Sequence, residues 1–414
     1  MTNLKLKIVT AITTGTVLVG SVAPAFAATN IEISGNGRDS DSAAVVTNQN
    51  VSSVAQSNVA NISNNTTVNS DTGHNKASDN IGGDVHVKSG AATTDVTVNN
   101  SANSNVANVA NCGACGNGAD VLISGNGRNS DNNVALTQVN VTGVIQSNVA
   151  NVSNNTTVNS NTGHNKANDN LGGDVNVTSG AADSSVNVGT AVNSNTAQIG
   201  GMGLVGMGSG VSARILGNGR NSDNTIVLGL VNSASVAQSN VANVSNNTTV
   251  NSDTGFNRAN DNLGGVVAVE SGKANSDINV DTMANFNAAA LAACGCDMTV
   301  TAKIANNLRD SDNTIGASLS NAEAAFQTSV LNGANNTLNN SNTGHNKAND
   351  NGGSDLSDPH VTAGPASSTV NVGTSGNTNT VGTGLTLPMP GNTQLNFAFN
   401  WNQFFASWMG WMSI

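Results

Sequence analysis

The sequence predicts an all-β chain, an elongated β-solenoid of parallel β-helix type, from three observations. A unit of about 90 residues recurs four times, and internal periods of this kind mark stacked architectures. Large side chains are nearly missing from the body: between Ala28 and Gln394 the aromatics are Phe256, Phe286 and Phe326. Asn and Gly dominate, with 73 Asn and 45 Gly in 414 residues and no Tyr. A globular core of this length needs large residues to fill its middle. A solenoid does not, because each coil buries Val, Ile, Ala and Leu against the coils above and below. Stacked Asn side chains can run hydrogen-bonded ladders along such a column.

The first 27 residues have the form of a secretory signal. Lys5 and Lys7 make a positive start, Ile8 to Val22 is mostly apolar, and Ala25-Phe26-Ala27 fits an A-x-A cleavage site. A secreted or cell-surface location is the expectation. The chain carries 25 acids against 14 bases, a formal charge of −11, which disfavours nucleic acid as a partner.

Two motifs define the repeats. Ser34-Gly-Asn-Gly-Arg38-Asp-Ser-Asp41 returns around Arg128 and Asp131, around Arg220 and Asp223, and in degenerate form around Arg309 and Asp312. Thr72-Gly-His-Asn-Lys76-Ala-Ser-Asp79 returns around Lys166 and Asp169, Arg258 and Asp261, and Lys347 and Asp350. Arginine to arginine the steps are 90, 92 and 89 residues, whereas from each arginine to the following base the step is always 38. The first part of each unit is therefore a fixed register, and the second carries the loops that tolerate insertion. The division expected is repeat 1 over 28–115, repeat 2 over 116–207, repeat 3 over 208–297, a degenerate repeat 4 over 298–394, and a tail over 395–414. Both motifs place a base at i and Asp at i+3, which suggests one turn type used twice, with the Asp bonding nearby amides and the base offsetting its charge.

Between the motifs, Val85-His-Val87, Val96-Thr-Val98, Val121-Leu-Ile123, Val175-Asn-Val177 and Val186-Asn-Val188 alternate as strands do, bounded by Gly-containing turns. Val51 to Ile62 is ambiguous: its apolar spacing of three, five and three is helix-like, while its Val and Asn content favours strands broken by corners.

Gly35-Asn-Gly-Arg-Asp-Ser-Asp, Cys115-Gly-Asn-Gly-Ala-Asp and Gln56-Ser-Asn-Val-Ala-Asn loosely resemble the repeats of curlin-type fibre subunits, without their short period or regular Gln spacing. The TGxNxAxxNxGG element at Thr72–Gly83, Thr162–Gly173 and Thr254–Gly265 is similar to uncharacterised exported repeat proteins of candidate-phylum bacteria. The resemblance implies a surface or extracellular structural role and transfers no site residues.

Cys112, Cys115, Cys294 and Cys296 form two tight pairs, each beginning 74 residues after its unit's arginine. Local disulfides are expected in an exported chain, with bridges to another subunit as the alternative. His74, His164 and His345 share one motif position, but Phe256 occupies it in the third unit, so a planar side chain over a turn is expected there rather than a ligand. Asp71, Asp79, Asp84, Asp169 and Asp174 are the carboxylates best placed for Ca²⁺, although no calcium-loop motif is present and no cofactor is expected.

The tail differs from the body. Phe397, Phe399 and Trp401 alternate, and Phe404, Phe405, Trp408 and Trp411 recur at helical spacing. Three roles stay open: a cap on the last coil, a docking segment for another subunit, or a contact with the membrane interface. The function expected is non-enzymatic: a surface fibre, matrix component or adhesin whose partners are itself and cell-surface or matrix material. The alternative is a monomeric ligand-binding solenoid for calcium, glycan or ice, the last through Asn65-Thr-Thr67, Asn155-Thr-Thr157 and Asn247-Thr-Thr249.

Overall fold

The structure is a computed structural model that describes residues 29–109, 119–200, 211–291, 300–352 and 359–382. Each unit makes one coil, here called a rung. Rung 1 comprises β1 (Thr29–Ser34), β2 (Asp41–Asp71), β3 (Val85–Lys88) and β4 (Ala92–Val109). Rung 2 repeats it as β5 (Ala119–Ser124), β6 (Asp131–Asn161), β7 (Val175–Thr178) and β8 (Ala182–Ile199). Rung 3 follows as β9 (Val211–Leu216), β10 (Asp223–Asp253), β11 (Val267–Glu270) and β12 (Ala274–Leu291). Rung 4 is β13 (Val300–Ala305), β14 (Asp312–Asn342), β15 (His360–Thr362) and β16 (Ala366–Val381). Like strands stack in parallel and in register, giving four sheets of four strands each. The chain is an all-β solenoid with one coil per repeat.

Within a rung the chain runs out along β2 and returns along β4, so the two strands face each other across a two-layer core. Asn58 meets Asn105 and Asn64 meets Asn100 across that layer. At the other end of β2, Ile31 and Ile33 of β1 cover Ala44 and Val46. A 31-residue strand spans about 100 Å, whereas three inter-rung steps amount to about 15 Å. The long dimension of the molecule therefore lies along the strands, and the stack is only four rungs high.

The 38-residue spacing now has a cause. It covers one turn, the whole of β2 or its counterpart, and the next turn, and in the two interior rungs every residue of that strand is paired with both neighbours. The register offset is 90 between Thr29 and Ala119, 92 between Ala119 and Val211, and 89 between Val211 and Val300. The length differences fall in 110–118, 201–210, 292–299 and 353–358, between the strands.

The corners expected within Val51 to Ile62 are not there, and the segment lies inside one continuous strand. Its inner positions read Val54, Gln56, Asn58, Ala60, Ile62, as rung 2 makes plain: Val144, Gln146, Asn148, Ala150 and Val152 are all buried. Amides occupy inner sites while Val59 sits outside at 67% exposure, so counting apolar residues alone hides the period of two. A local break sits in the shorter return strand. Asn103, Asn193, Asn285 and Asn377 all take positive φ, a conformation that Asn tolerates, and stand outside the ladder pairing. The Asn103 amide donates to Val149 O at 2.6 Å and to Asn193 Oδ1 at 2.9 Å, which ties the bulge to both the facing layer and the next rung.

Candidate functional surfaces

The core is a series of apolar clusters separated by amide columns. Ala107, Val109, Val144 and Ile199 form one cluster, Ala150, Val152 and Val192 the next, and Val96, Val158 and Val186 a third. Between them run Asn105–Asn195–Asn287–Asn379 and Asn64–Asn154–Asn246–Asn335, linked at 2.7–3.0 Å. Asn148 bridges the two layers by donating to Asn195 Oδ1 at 2.8 Å and Ser194 O at 3.1 Å. A buried amide is tolerable only when its groups find partners, and the column supplies them. The sequence pointed to such ladders without saying which Asn residues build them. Inner position and identity across four units are the signals that select them.

These ladders have direction. In the two inner Asn ladders just named the amide N–H donates from the lower-numbered rung to the higher, as from Asn64 to Asn154 to Asn246 to Asn335. On the outer face of the long strand the sense reverses: Asn332 donates to Asn243, Asn243 to Asn151, and Asn151 to Asn61, each at 2.8 Å. Outer ladders also satisfy a face that a parallel sheet usually covers with helices.

Each base-and-Asp position becomes a column. Asp41, Asp131, Asp223 and Asp312 stack in register at the start of the long strands, all exposed. Lys76, Lys166, Arg258 and Lys347 stack likewise through isolated bridges. The two motifs are not one turn used twice. In the second, Asp79, Asp169, Asp261 and Asp350 take positive φ; in the first, the residue after the arginine does so (Asp39, Asn129, Asn221, Asp310) while the i+3 Asp opens a strand. Nor do base and i+3 Asp pair as expected. Arg38 reaches Asp39 at 3.9 Å and Arg220 reaches Asp310 on the next rung at 3.3 Å.

His74, His164, Phe256 and His345 stack face to face at 4.8, 4.9 and 4.5 Å between ring centroids, each at positive φ. This is the planar column expected over the turn. Three of the five carboxylates considered for calcium accept backbone N–H groups: Asp71 from Gly73 N at 2.9 Å, Asp84 from Asp174 N at 2.9 Å, and Asp174 from Val266 N at 2.8 Å. Among the described residues no group of three or more His, Cys, Asp or Glu side chains is placed to hold a metal. Of the Thr pairs suggested for ice, Thr156 is buried at 1%, so only the Thr67–Thr157–Thr249 column faces out, and Leu338 ends it. The Cys pairs at 112/115 and 294/296, residues 1–27, and the aromatic tail lie outside the described residues.

A groove of about 750 Å³ crosses the rungs along Ile62, Val152, Val244 and Leu331, and its lining holds no titratable side chain. The remaining surfaces are the two ends of the stack, and they are unlike. Val87 and Val96 on rung 1 are 5% and 7% exposed, whereas their column mates Val361 and Val370 on rung 4 are 44% and 42% exposed. No family model, curated protein or solved structure matches the chain.

Proposed function

We propose that the protein is a non-enzymatic structural protein of the cell surface or extracellular space, a fibre, matrix component or adhesin that works by associating with itself. The observation that carries this reading is the open rung-4 end. Ile315, at 48% exposure, continues a column whose rung-2 and rung-3 members, Val134 and Ile226, are fully buried. Unpaired strand edges with exposed apolar residues are templates for another chain, and soluble monomers normally blunt them. Export follows from the signal-like first 27 residues, and the aromatic tail offers a second contact. Electron microscopy of the purified chain over a concentration range tests the reading. Polymers that lengthen with concentration are expected; single four-rung particles at every concentration would refute self-association.

A further inference from the structure

We infer that the partner of the rung-4 end is the rung-1 end of a second copy, docked head to tail and in register, so that polymers have one direction. This rests on the self-association proposed above and specifies its geometry.

Three independent features of the two ends agree. The two inner Asn ladders send amide N–H groups toward higher rungs, so rung 4 ends on the donors of Asn335 and Asn379 and rung 1 ends on the acceptors of Asn64 and Asn105, while the inner Gln ladder runs from Gln327 down to Gln56. The outer ladders run the other way, so rung 4 ends on the acceptor of Asn332 and rung 1 on the donor of Asn61. Head-to-tail stacking satisfies both sets together; two like ends would set donors against donors and acceptors against acceptors.

The turns repeat the argument in backbone groups. Asn75 N–H is accepted by Asn165 Oδ1, Asn165 N–H by Asn257 Oδ1, and Asn257 N–H by Asn346 Oδ1. Asn80, Asn170, Asn262 and Asn351 form a second series of the same kind. The main-chain N–H of Asn346 and of Asn351 therefore faces off the open end, where the Oδ1 of a second copy's Asn75 and Asn80 would accept it. The same register sets Gln327 on Gln56, continuing a ladder linked at 2.7–2.8 Å, and His345 on His74, continuing the ring stack. Finally, among the described residues the inner valines that stand exposed, Val361, Val370 and Val372, all belong to rung 4, so the apolar surface that docking covers lies at one end.

Single prolines can block each end without touching the interior ladder. Thr72 N–H donates to Asn161 O and Thr162 N–H to Asp253 O, both toward the higher rung, whereas Asp312 N–H at the start of its long strand donates back to Ser222 O; along a parallel ladder successive residues face opposite neighbours. By this alternation the N–H of Val59 faces away from rung 2, and that of Gly333 faces away from rung 3. Val59 is exposed, and a Cβ at Gly333 would meet nothing nearer than Thr374 Cγ2 at 3.9 Å. Proline is tolerated on edge strands where its missing donor points outward.

The experiment compares wild type, Val59→Pro, Gly333→Pro and an equimolar mixture of the two variants by sedimentation velocity. Thr67→Pro and Ala325→Pro, which also remove only outward N–H groups, replace either variant if its circular dichroism or unfolding midpoint departs from that of the wild-type monomer. Wild type should polymerise, and each variant alone should lose at least tenfold of the pelletable fraction and run as a monomer. The mixture should give a 1:1 dimer, joined through the two intact ends. A variant that dimerises alone would overturn head-to-tail docking in favour of a symmetric contact. Both variants polymerising like wild type would overturn it in favour of another surface, and either result leaves the structural reading standing. A wild type that stays monomeric throughout sinks both.

Discussion

Replacing Asn195 with Ala should cost about 3 kcal/mol of folding stability. Asn195 is fully buried, and its amide donates to Asn240 Oδ1 at 2.8 Å and to Asn287 Oδ1 at 3.0 Å. Its own Oδ1 accepts from Asn105 at 3.0 Å and from Asn148 at 2.8 Å. Removal does not strand all four partners equally. Asn105 keeps Asn148 Oδ1, Asn148 keeps Ser194 O, and Asn287 keeps the Asn240 donor. Asn240 Oδ1 loses its donor in the core, a penalty of about 1–3 kcal/mol, and each of the others gives up one bond worth about 0.5–1.5 kcal/mol in net terms. Relaxation of the neighbours reduces the sum, which leaves a central value near 3 kcal/mol. The control is Asn155→Ala on the outer face, where bonds to Asn65 and Asn247 at 3.1 Å are exposed and water replaces them at a cost of about 0.5 kcal/mol. Urea denaturation at a protein concentration that keeps the chain monomeric measures both. If Asn195→Ala costs no more than Asn155→Ala, the inner ladders do not hold the rungs together and the ladder account of the core fails.

Two further changes probe the turns and the outer face. Gly163→Ala should abolish the four-rung fold, because its Cβ would run into the Gly255 carbonyl oxygen of the next rung; retention of wild-type hydrogen-exchange protection in the neighbouring long strands would contradict that. Asp281→Asn should raise the unfolding midpoint at pH 7, because burial of the carboxyl on the outer face of β12 pushes its pKa above the ordinary 3.8, against a smaller lowering from its bond to the Thr282 backbone. An acid whose folded pKa is raised destabilises the fold once ionised, so the advantage of Asn should shrink as pH falls through the shifted value and vanish below 3.8; an advantage independent of pH would point to packing instead.

The four units, the short valine strands and the fixed first half were legible because each depends on local alternation or simple recurrence. What was hidden depends on what faces what. The inner face of the long strand carries Gln146, Asn148 and Asn154 among its valines, so hydropathy alone could not tell inside from outside. The burial of those amides follows only from stacking, which gives each one an identical partner about 4.8 Å away. The two charged motifs looked alike in spacing, yet one ends in a left-handed Asp and the other opens a strand. Spacing records position along the chain, whereas turn type depends on where each backbone amide finds its acceptor, and here that acceptor lies on another rung.

In-register stacking also explains why so few residues are charged, and it makes salt a test of assembly. A charge placed once in the unit appears in every rung, so its column holds like charges about 4.8 Å apart. Each adjacent pair then costs about 0.9 kcal/mol in water and several times that where water is excluded. The tolerable places are the exposed turns, where the Arg38, Asp41, Lys76 and Asp79 columns stand. Opposite charges offset part of the cost, as between Arg220 and Asp310. A head-to-tail junction adds one more step to every column, placing Lys347 on Lys76, Arg309 on Arg38, Asp350 on Asp79 and Asp312 on Asp41. Like pairs outnumber the offsets, so the junction carries net repulsion that salt should screen, with a Debye length of about 10 Å at 0.1 M and 3 Å at 1 M. The critical concentration for polymerisation should therefore fall as sodium chloride rises from 0.05 to 0.5 M, by roughly threefold to tenfold for about 1 kcal/mol of screened repulsion. Polymers that dissolve with added salt would mean that opposite charges meet at the junction. That outcome would count against rung 4 seated on rung 1 in register, where each of these four turn columns repeats its own sign and the offset available is the Arg309 to Asp39 step, the counterpart of Arg220 to Asp310.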